Sequence, residues 1–228
     1  MPRMRILNTV ERYDFDFPPT FNSLQRKKYF YFSDTLYHMV SGLRSPAHQV
    51  GFLISCGYFL ATKKFFAANE FRAVDVEYVT QKLGLPDVLV NLHEYNDRTR
   101  QKHQQTILKY YGYQAFSSQA KAFLNEEINI MVRSQLKPRL IFWRCIDLLI
   151  REKVQLPGCF TLTDLITAVI NRRKDQLVNI IQQQLSSETK QALEALFEQP
   201  PVFGEQHPGA TSAYRLTLLK KLSQSAHP

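Results

Sequence analysis

Apolar residues recur at helical spacing through most of this chain, while the short alternating patterns typical of strands are few. Ser45-Pro46 is a clear helix start, with serine as N-cap and proline in the first turn. Glycine occurs only 8 times, which also argues against a β-sandwich or barrel. We therefore predict an all-α fold. The predicted helices cover residues 20–30, 33–40, 47–63, 74–83, 86–95, 98–112, 118–134, 138–153, 161–185, 187–197 and 214–223.

The periodic segments group into two helical modules, residues 1–115 and 116–228. The most apolar segment, residues 47–63, is predicted to be the central helix of the first core. Its two glycines, Gly51 and Gly57, would each let a neighbouring side chain approach closely. Ahead of it, Pro18-Pro19 stops any helix, so the first residues up to this pair are predicted to form an extended arm.

The second module contains a helix-turn-helix-like pair. Residues 138–153 are apolar nearly all round, which predicts a buried helix. A turn at Leu156-Pro157-Gly158 follows, and the segment Thr161 to Asp164 has the pattern of an N-terminal cap for a basic amphipathic helix over 161–185. The second helix of such a pair enters the DNA major groove, although this turn is longer than a compact one. An ordinary helical hairpin with solvated charges fits the same pattern.

Positive charge is concentrated in the middle of the chain. The formal net charge is +9 at pH 7. Residues 1–97 hold 11 Lys/Arg against 10 Asp/Glu, residues 98–175 hold 14 against 6, and residues 176–228 hold 4 against 4. The middle segment alone therefore carries +8, which is 14 minus 6. A concentrated positive field attracts polyanions, of which nucleic acid is the commonest, although a soluble protein with a basic face has the same composition.

The basic side chains of this middle segment are the candidate DNA contacts. Residues 98–103 contain no aliphatic side chain, so we expect this run to face away from any core, either along a phosphate backbone or as a solvated helix face. In the helix over 161–185, an asparagine can pair with an adenine edge and an arginine can fork onto guanine. The predicted phosphate contacts are Arg98, Arg100, Lys102, Arg139, Arg144 and Lys174. The predicted base contacts are Asn171, Arg172 and Arg173.

Two further groups of residues favour structural roles. The aromatic run Tyr29 to Phe32 has the chemistry to stack on bases, but four successive aromatic residues are more typical of the core and rim of a small bundle. The carboxylates Asp14 and Asp16 alternate with phenylalanines and have no neighbouring histidine or glycine-rich loop. We therefore expect no catalytic carboxylate pair there.

Cysteine usage and hydropathy restrict the class of protein. Cys56, Cys145 and Cys159 are odd in number, widely spaced and set among apolar residues, which is typical of reduced, buried thiols. No motif has the spacing of a metal, nucleotide or other cofactor site, and no apolar run reaches the roughly 18–20 residues that span a bilayer. We expect a cytoplasmic protein with no signal peptide, no cofactor and no membrane partner.

An ordered set of segments resembles the N-terminal region of the Tn-three family of replicative transposases, and the resemblance spans essentially the whole chain. The residues that carry it in the first half are Arg5-Ile6-Leu7, Glu11-Arg12, Tyr29-Phe30, Ser33-Asp34, the run from Gly51 to Leu60, Phe65, Val76 to Val79, Leu83-Gly84, Leu92 to Tyr95, Arg98 to Arg100 and His103. Those in the second half are Arg172-Arg173-Lys174, Leu177, Tyr214-Arg215-Leu216 and Leu218-Leu219-Lys220.

The resemblance implies a DNA-binding fragment. The helical N-terminal part of such transposases recognises the terminal inverted repeats of the element, and a ribonuclease-H-like C-terminal domain with an acidic triad cuts and joins strands. No catalytic residue can be carried onto this chain, so we expect it not to be an enzyme, while the full-length protein would be a DDE-type transposase. The expected partner is double-stranded DNA at transposon ends in a bacterial nucleoid, and the full-length protein is a candidate dimer.

Two other functions fit the same residues. The chain could be a regulatory or interaction protein, such as a truncated transposase that competes for the same sites. It could also be an RNA-binding helical module, which a parallel titration of duplex DNA and RNA would distinguish because the two duplexes present different grooves.

Overall fold

The computed structural model describes residues 4–86 and 90–198. Within these residues the protein is built from α-helices and contains no strand, only an isolated bridge between Gln114 and Val154, so the all-α prediction is confirmed. The helices are α1 (Thr9–Asp16), α2 (Ser23–Tyr29), α3 (Asp34–Ser41), α4 (Pro46–Thr62), α5 (Ala73–Lys82), α6 (Asp97–Tyr111), α7 (Ser118–Arg133), α8 (Pro138–Arg151), α9 (Cys159–Gln184) and α10 (Ser187–Glu198).

Two of the predicted helices need comment. The described part of the predicted helix over 86–95 contains only a single 3-10 turn, Leu92–Glu94, so that prediction is wrong for those residues. The predicted helix over 214–223 lies outside the described residues. Short 3-10 structure also occurs at Ala68–Glu70.

The described chain up to Gln176 forms one compact unit, and the described residues from Leu177 to Glu198 belong to a second. The first unit contains two hydrophobic cores. The first core is formed by side chains of the segment from Phe21 to Tyr113. The second is formed by Ile6, Leu7 and Phe15 together with side chains from Phe116 to Ile170. The division into modules at residue 115 stays a prediction.

Helix α4 is the centre of the first core, as predicted. Ser45 caps its first turn through a bond from the His48 backbone N–H, and most of the residues that follow Pro46 are buried. The two glycines of α4 make room for aromatic rings: a Cβ on Gly57 would lie 2.3 Å from the ring of Phe30, and one on Gly51 would lie 2.6 Å from the ring of Tyr95. The expectation of close neighbours at both glycines is confirmed.

The first residues form a helix, α1, and the prediction of an extended arm is wrong for them. The reason is a capping box in which the Asn8 side chain accepts from the Glu11 N–H and the Glu11 carboxylate accepts from the Asn8 N–H. Helix α1 ends ahead of Pro18, so the proline pair still sets its limit. Phe15 at its C-terminal end lies 5.3 Å from the ring of Phe142 in the second core.

The second core takes only one side of α8. Its buried residues are Ile141, Phe142, Cys145, Ile146 and Leu149. Leu140, Trp143 and Ile150 on the other side are 54%, 39% and 38% exposed, so the prediction of a buried helix is right for one side of α8 and wrong for the other. Apolar content alone overstated its burial because these three side chains fall outside the contact with α7 and α9.

All three cysteines are buried and free, which confirms the thiol prediction. Burial raises the pKa of the Cys145 thiol to about 12. Within the described ranges, no helix combines the length and the hydropathy that crossing a bilayer would require.

Candidate nucleic-acid interface

Helix α6 has a basic side and a core side. It begins after Asn96, whose side chain accepts from the Thr99 N–H at 3.0 Å, and it ends at Gly112, which has a left-handed φ of 68°. His103, Ile107 and Leu108 are buried against the first core. The helix therefore leaves about half of its circumference for solvent.

The exposed side of α6 carries a line of polar side chains, which we call the basic stripe: the cations Arg98, Lys102 and Lys109, with Gln105 between them. Lys102, Gln105 and Lys109 follow Arg98 by 4, 7 and 11 positions, so the four side chains lie along one face of the helix. All four are exposed. The three cations form no ion pair with any described residue. At 1.5 Å per residue the stripe is about 16 Å long.

Arg100 belongs to the other side of α6. Its guanidinium donates to Asp97 Oδ1 at 2.8 Å and to the Phe66 carbonyl at 3.2 Å, and its side chain is only 20% exposed. The Nε atom is buried and has no hydrogen-bond partner among the described residues. A phosphate contact by Arg100 stays a prediction, and it would have to compete with these internal bonds.

His103 is also turned inward, so the expectation that residues 98–103 face away from any core is wrong. It is 8% exposed, its Nδ1 lies 3.1 Å from the Tyr95 hydroxyl, and its ring meets the edge of Phe52 at 5.1 Å. Desolvation, with a smaller effect of His48, lowers the pKa of His103 to about 4. A polar residue can face a core when its polar atoms find partners, which residue type alone does not reveal.

The two predicted phosphate contacts of α8 are both exposed. The Arg139 guanidinium bonds the carboxylate of Glu11 in α1, although its side chain remains 62% exposed. Arg144 forms no ion pair with the described residues. It stands five residues from Arg139, beside the exposed Trp143, so the two arginines lie on different sides of the exposed face of α8.

The four candidate contacts of α9 do not share a face. Successive residues of a helix turn by about 100°, so the run Asn171, Arg172, Arg173 and Lys174 is distributed around the whole circumference. Arg173 follows the buried residues Ile166 and Val169 by seven and four positions and is half-buried, whereas Arg172 and Lys174 are exposed. These four residues are consecutive in the sequence, but their side chains do not lie on one surface of the helix.

Asn171 is half-buried, and the side of α9 that carries it also carries acidic residues. Asp164 precedes it by seven positions and Asp175 follows it by four, and both are exposed. Carboxylates on the same face would oppose phosphates across a groove. The helix pair itself is present, and residues 152–158 connect α8 to α9. These seven residues exceed the three or four of a compact helix-turn-helix.

The start of α9 is fixed by a residue far away in the chain. Helix α9 begins at Cys159, so the predicted cap at Thr161 to Asp164 is wrong. Asp16 Oδ1 at the end of α1 accepts from the Cys159 N–H at 2.9 Å and from the Lys64 ammonium at 3.1 Å. Lys64 is buried beside the Phe15 ring, so Asp16 neutralises a desolvated charge and caps a helix at once. A contact between residues 143 positions apart leaves no local signal in the sequence.

No cluster of three His, Cys, Asp or Glu side chains suited to a metal ion occurs among residues 4–86 and 90–198. A surface cavity of about 660 Å³ lies beside α1 and the first turn of α9, with Tyr13, Phe17 and Phe160 in its lining. The Arg12 guanidinium covers the ring of Phe160 at 3.9 Å.

Residues 6–169 match the sequence profile of a family described as a domain of unknown function, DUF4158. The match covers more than two thirds of the chain. It includes the basic stripe and both arginines of α8, and it ends just before Asn171.

Proposed function

The chain belongs to the DUF4158 family, and we propose that it is the DNA-binding part of a transposase that recognises the terminal inverted repeats of a transposon. The resemblance to the Tn-three transposases supports the choice of DNA and of transposon ends. The charge of +8 over residues 98–175 supports a polyanionic partner.

The observation that carries the proposal is the basic stripe. Three cations that form no ion pair within residues 4–86 and 90–198 stand in line on one helix, spaced so that they can neutralise phosphates along a nucleic acid backbone. The opposite side of the same helix is packed into the first core. The stripe can therefore meet a ligand without rearrangement of the fold.

We assign phosphate contacts first to Arg98 and Lys102, with Lys109 added from the structure, and then to Arg144, Arg139 and Lys174. Phosphate contacts position a protein on DNA but do not read its sequence. Base reading we keep on α9, where one of Asn171, Arg172 and Arg173 at a time can face a groove. We propose binding alone, since the resemblance places strand cleavage in a domain whose residues have no counterpart here.

The test is a footprint on a transposon end at two salt concentrations, together with titrations of the wild-type protein and two variants. Lys102→Ala should weaken binding to inverted-repeat and random duplexes alike and reduce the salt slope by about one unit. Arg172→Ala should in addition reduce the preference for the repeat, at a cost of about 1–3 kcal/mol.

Unchanged binding of both duplexes to Arg172→Ala would show that α9 is not the reading helix. If neither variant changed DNA binding, the proposal would be wrong. Tighter binding to an RNA duplex than to a DNA duplex of the same sequence would favour the RNA-binding alternative.

A further inference from the structure

The segment between α2 and α3 turns one aromatic side chain into solvent. Phe30 and Phe32 are buried in the first core, with exposed fractions of 0% and 4%, while Tyr31 between them is 76% exposed. Phe30 at the end of α2 and Phe32 ahead of α3 are both held in the core, and Tyr31 between them is left facing solvent. Among the four aromatic residues from Tyr29 to Phe32, Tyr31 is the exposed one.

Neighbouring helices fix the backbone that carries Tyr31. The Lys82 ammonium at the end of α5 donates to the Phe30 carbonyl at 2.6 Å. The Ser33 and Tyr110 hydroxyls are hydrogen-bonded at 2.8 Å, which ties the segment to α6. Tyr31 is thus presented by a restrained platform between two helices, and ordering it on a ligand would cost little conformational entropy.

A cation lies within reach of the exposed ring. The Lys82 ammonium is 5.6 Å from the Tyr31 ring centroid, inside the range of cation–π attraction. The Tyr37 ring lies 6.1 Å from the ring of Phe32, and the Tyr78 ring lies 6.1 Å from that of Phe30, so both phenols adjoin the segment that carries Tyr31. The surface therefore combines an aromatic face, a positive charge and phenolic hydroxyls.

The bond between Ser33 and Tyr110 places this surface beside the C-terminal end of α6, and the basic stripe ends at Lys109 near the same end of the helix. A strand whose phosphates follow α6 from Arg98 to Lys109 would reach the Ser33 segment, two residues from Tyr31. Within a duplex the bases are stacked on one another, so the ring can engage only a base that has left the duplex.

We propose that Tyr31 and Lys82 form a stacking site for an unpaired nucleobase of the DNA that lies along the basic stripe. This inference rests on the proposed DNA-binding function. The ligand class is a single-stranded extension at the end of a duplex: its base stacks on the Tyr31 ring, and its phosphate meets the Lys82 ammonium. Aromatic–base stacking tolerates any base, so the site adds affinity for single strands without sequence preference.

The test uses the 228-residue chain and two fluorescein-labelled probes. One is a blunt 30-base-pair duplex, and the other is the same duplex with four unpaired thymidines at one 3′ end. We expect the wild-type protein to bind the tailed probe about tenfold more tightly than the blunt one, as stacking of a single base allows. Tyr31→Ala should remove this difference and leave the affinity for the blunt duplex unchanged, while Tyr31→Phe should retain it.

Tyr13→Ala is the matched control, since Tyr13 is also an exposed aromatic residue but lies on α1. It should leave the tail preference intact. Equal binding of the two probes by the wild-type protein, or a tail preference that survives Tyr31→Ala, would overturn the stacking site.

Lys102→Ala separates this inference from the function on which it rests. If Lys102→Ala weakens both probes equally while the tail has no effect, the stacking site is wrong and DNA binding along the stripe stands. If Lys102→Ala changes neither affinity, or if the protein binds neither probe, the proposed function fails and the stacking site fails with it. Unchanged thermal unfolding of Tyr31→Ala would show that its effect is local.

Discussion

Helices α6 and α9 carry similar numbers of cations but arrange them differently. On α6, Arg98, Lys102 and Lys109 follow the helical repeat and form one exposed line. On α9, Arg172, Arg173 and Lys174 are consecutive and therefore point in different directions. The spacing of basic residues, rather than their number, therefore decides whether they form one surface for a polyanion.

The two helices also differ in the polar groups whose contacts hold them to the rest of the fold. Helix α6 is held by His103 and Arg100, which contact the Tyr95 hydroxyl and the Phe66 carbonyl in the preceding part of the chain. Helix α9 is seated at its first residue by Asp16, which belongs to α1. The first anchor depends on a neutral imidazole and the second on a charged carboxylate, so each can be broken without the other.

The largest effect is expected at the anchor of α9. Asp16→Ala removes the cap on Cys159 and leaves the buried Lys64 ammonium without its counter-charge, which should lower the free energy of unfolding by about 3 kcal/mol. Chemical denaturation of the purified variant measures this loss. Asp14→Ala, an exposed carboxylate of the same helix, should change stability by less than about 0.5 kcal/mol. Equal effects of the two variants would contradict the role of Asp16.

Helix positions and the central place of α4 could be predicted from the sequence because they depend on local patterns. Ser45-Pro46 and Gly112 are caps whose effect lies within one turn of the helix. The capping box of Asn8 and Glu11 was an equally local signal that the proline pair obscured. The inward turn of His103 and Arg100 had no such signal, since it depends on partners supplied by other segments of the fold.

The candidate interface could be predicted only in part, because the sequence shows which residues are basic but not which of them share a surface. The sequence placed the charge in residues 98–175, and it identified Arg98 and Lys102. It did not identify Lys109, because that residue stands in the apolar half of α6 and joins the stripe only through its spacing. Nor could it show that Tyr31 is exposed, since the alternation of the Phe30 to Phe32 segment depends on the core beneath it.

The next largest effect is expected on duplex DNA binding, when the cations of α6 and those of α9 are replaced in turn. Replacing Arg98, Lys102 and Lys109 by glutamine should weaken duplex DNA binding by about 30-fold, or about 2 kcal/mol, and lower the salt slope by about 2.7. Replacing Arg172, Arg173 and Lys174 by glutamine should lower the slope by only about one, because one of these side chains at a time can face a bound groove. Titrations at four salt concentrations measure both slopes. A larger loss from the α9 set would reverse the comparison.

A smaller effect follows from the anchor of α6. Because the pKa of His103 is about 4 in the folded protein and about 6.5 in an unfolded chain, the unfolded state binds the extra proton between these values. Stability should be full above pH 6.5 and fall by about 1–2 kcal/mol as the pH drops to 4. Denaturation at pH 7 and pH 4.5 tests this.

His103→Gln is the control for that pH dependence. It removes the titrating group, so it should lessen the loss of stability on acidification while costing some stability at pH 7. A variant that loses as much stability as the wild-type protein between pH 7 and pH 4.5 would show that another group is responsible. Asp16 provides a contrast, since Asp16→Ala should leave the contribution of His103 unchanged.

The smallest effect concerns Arg139 of α8. This arginine is exposed, like the cations of the basic stripe, but it is already paired with a carboxylate. Its bond to Glu11 competes with any phosphate contact, and an exposed pair of this kind contributes only about 0–1 kcal/mol to stability. Glu11→Gln keeps the capping-box acceptor of α1 and removes the competing charge. Duplex binding should therefore tighten by about twofold in Glu11→Gln, and the gain should vanish when Arg139→Ala is added. If the gain survived Arg139→Ala, it would come from the loss of one negative charge alone, and Arg139 would not be a phosphate contact.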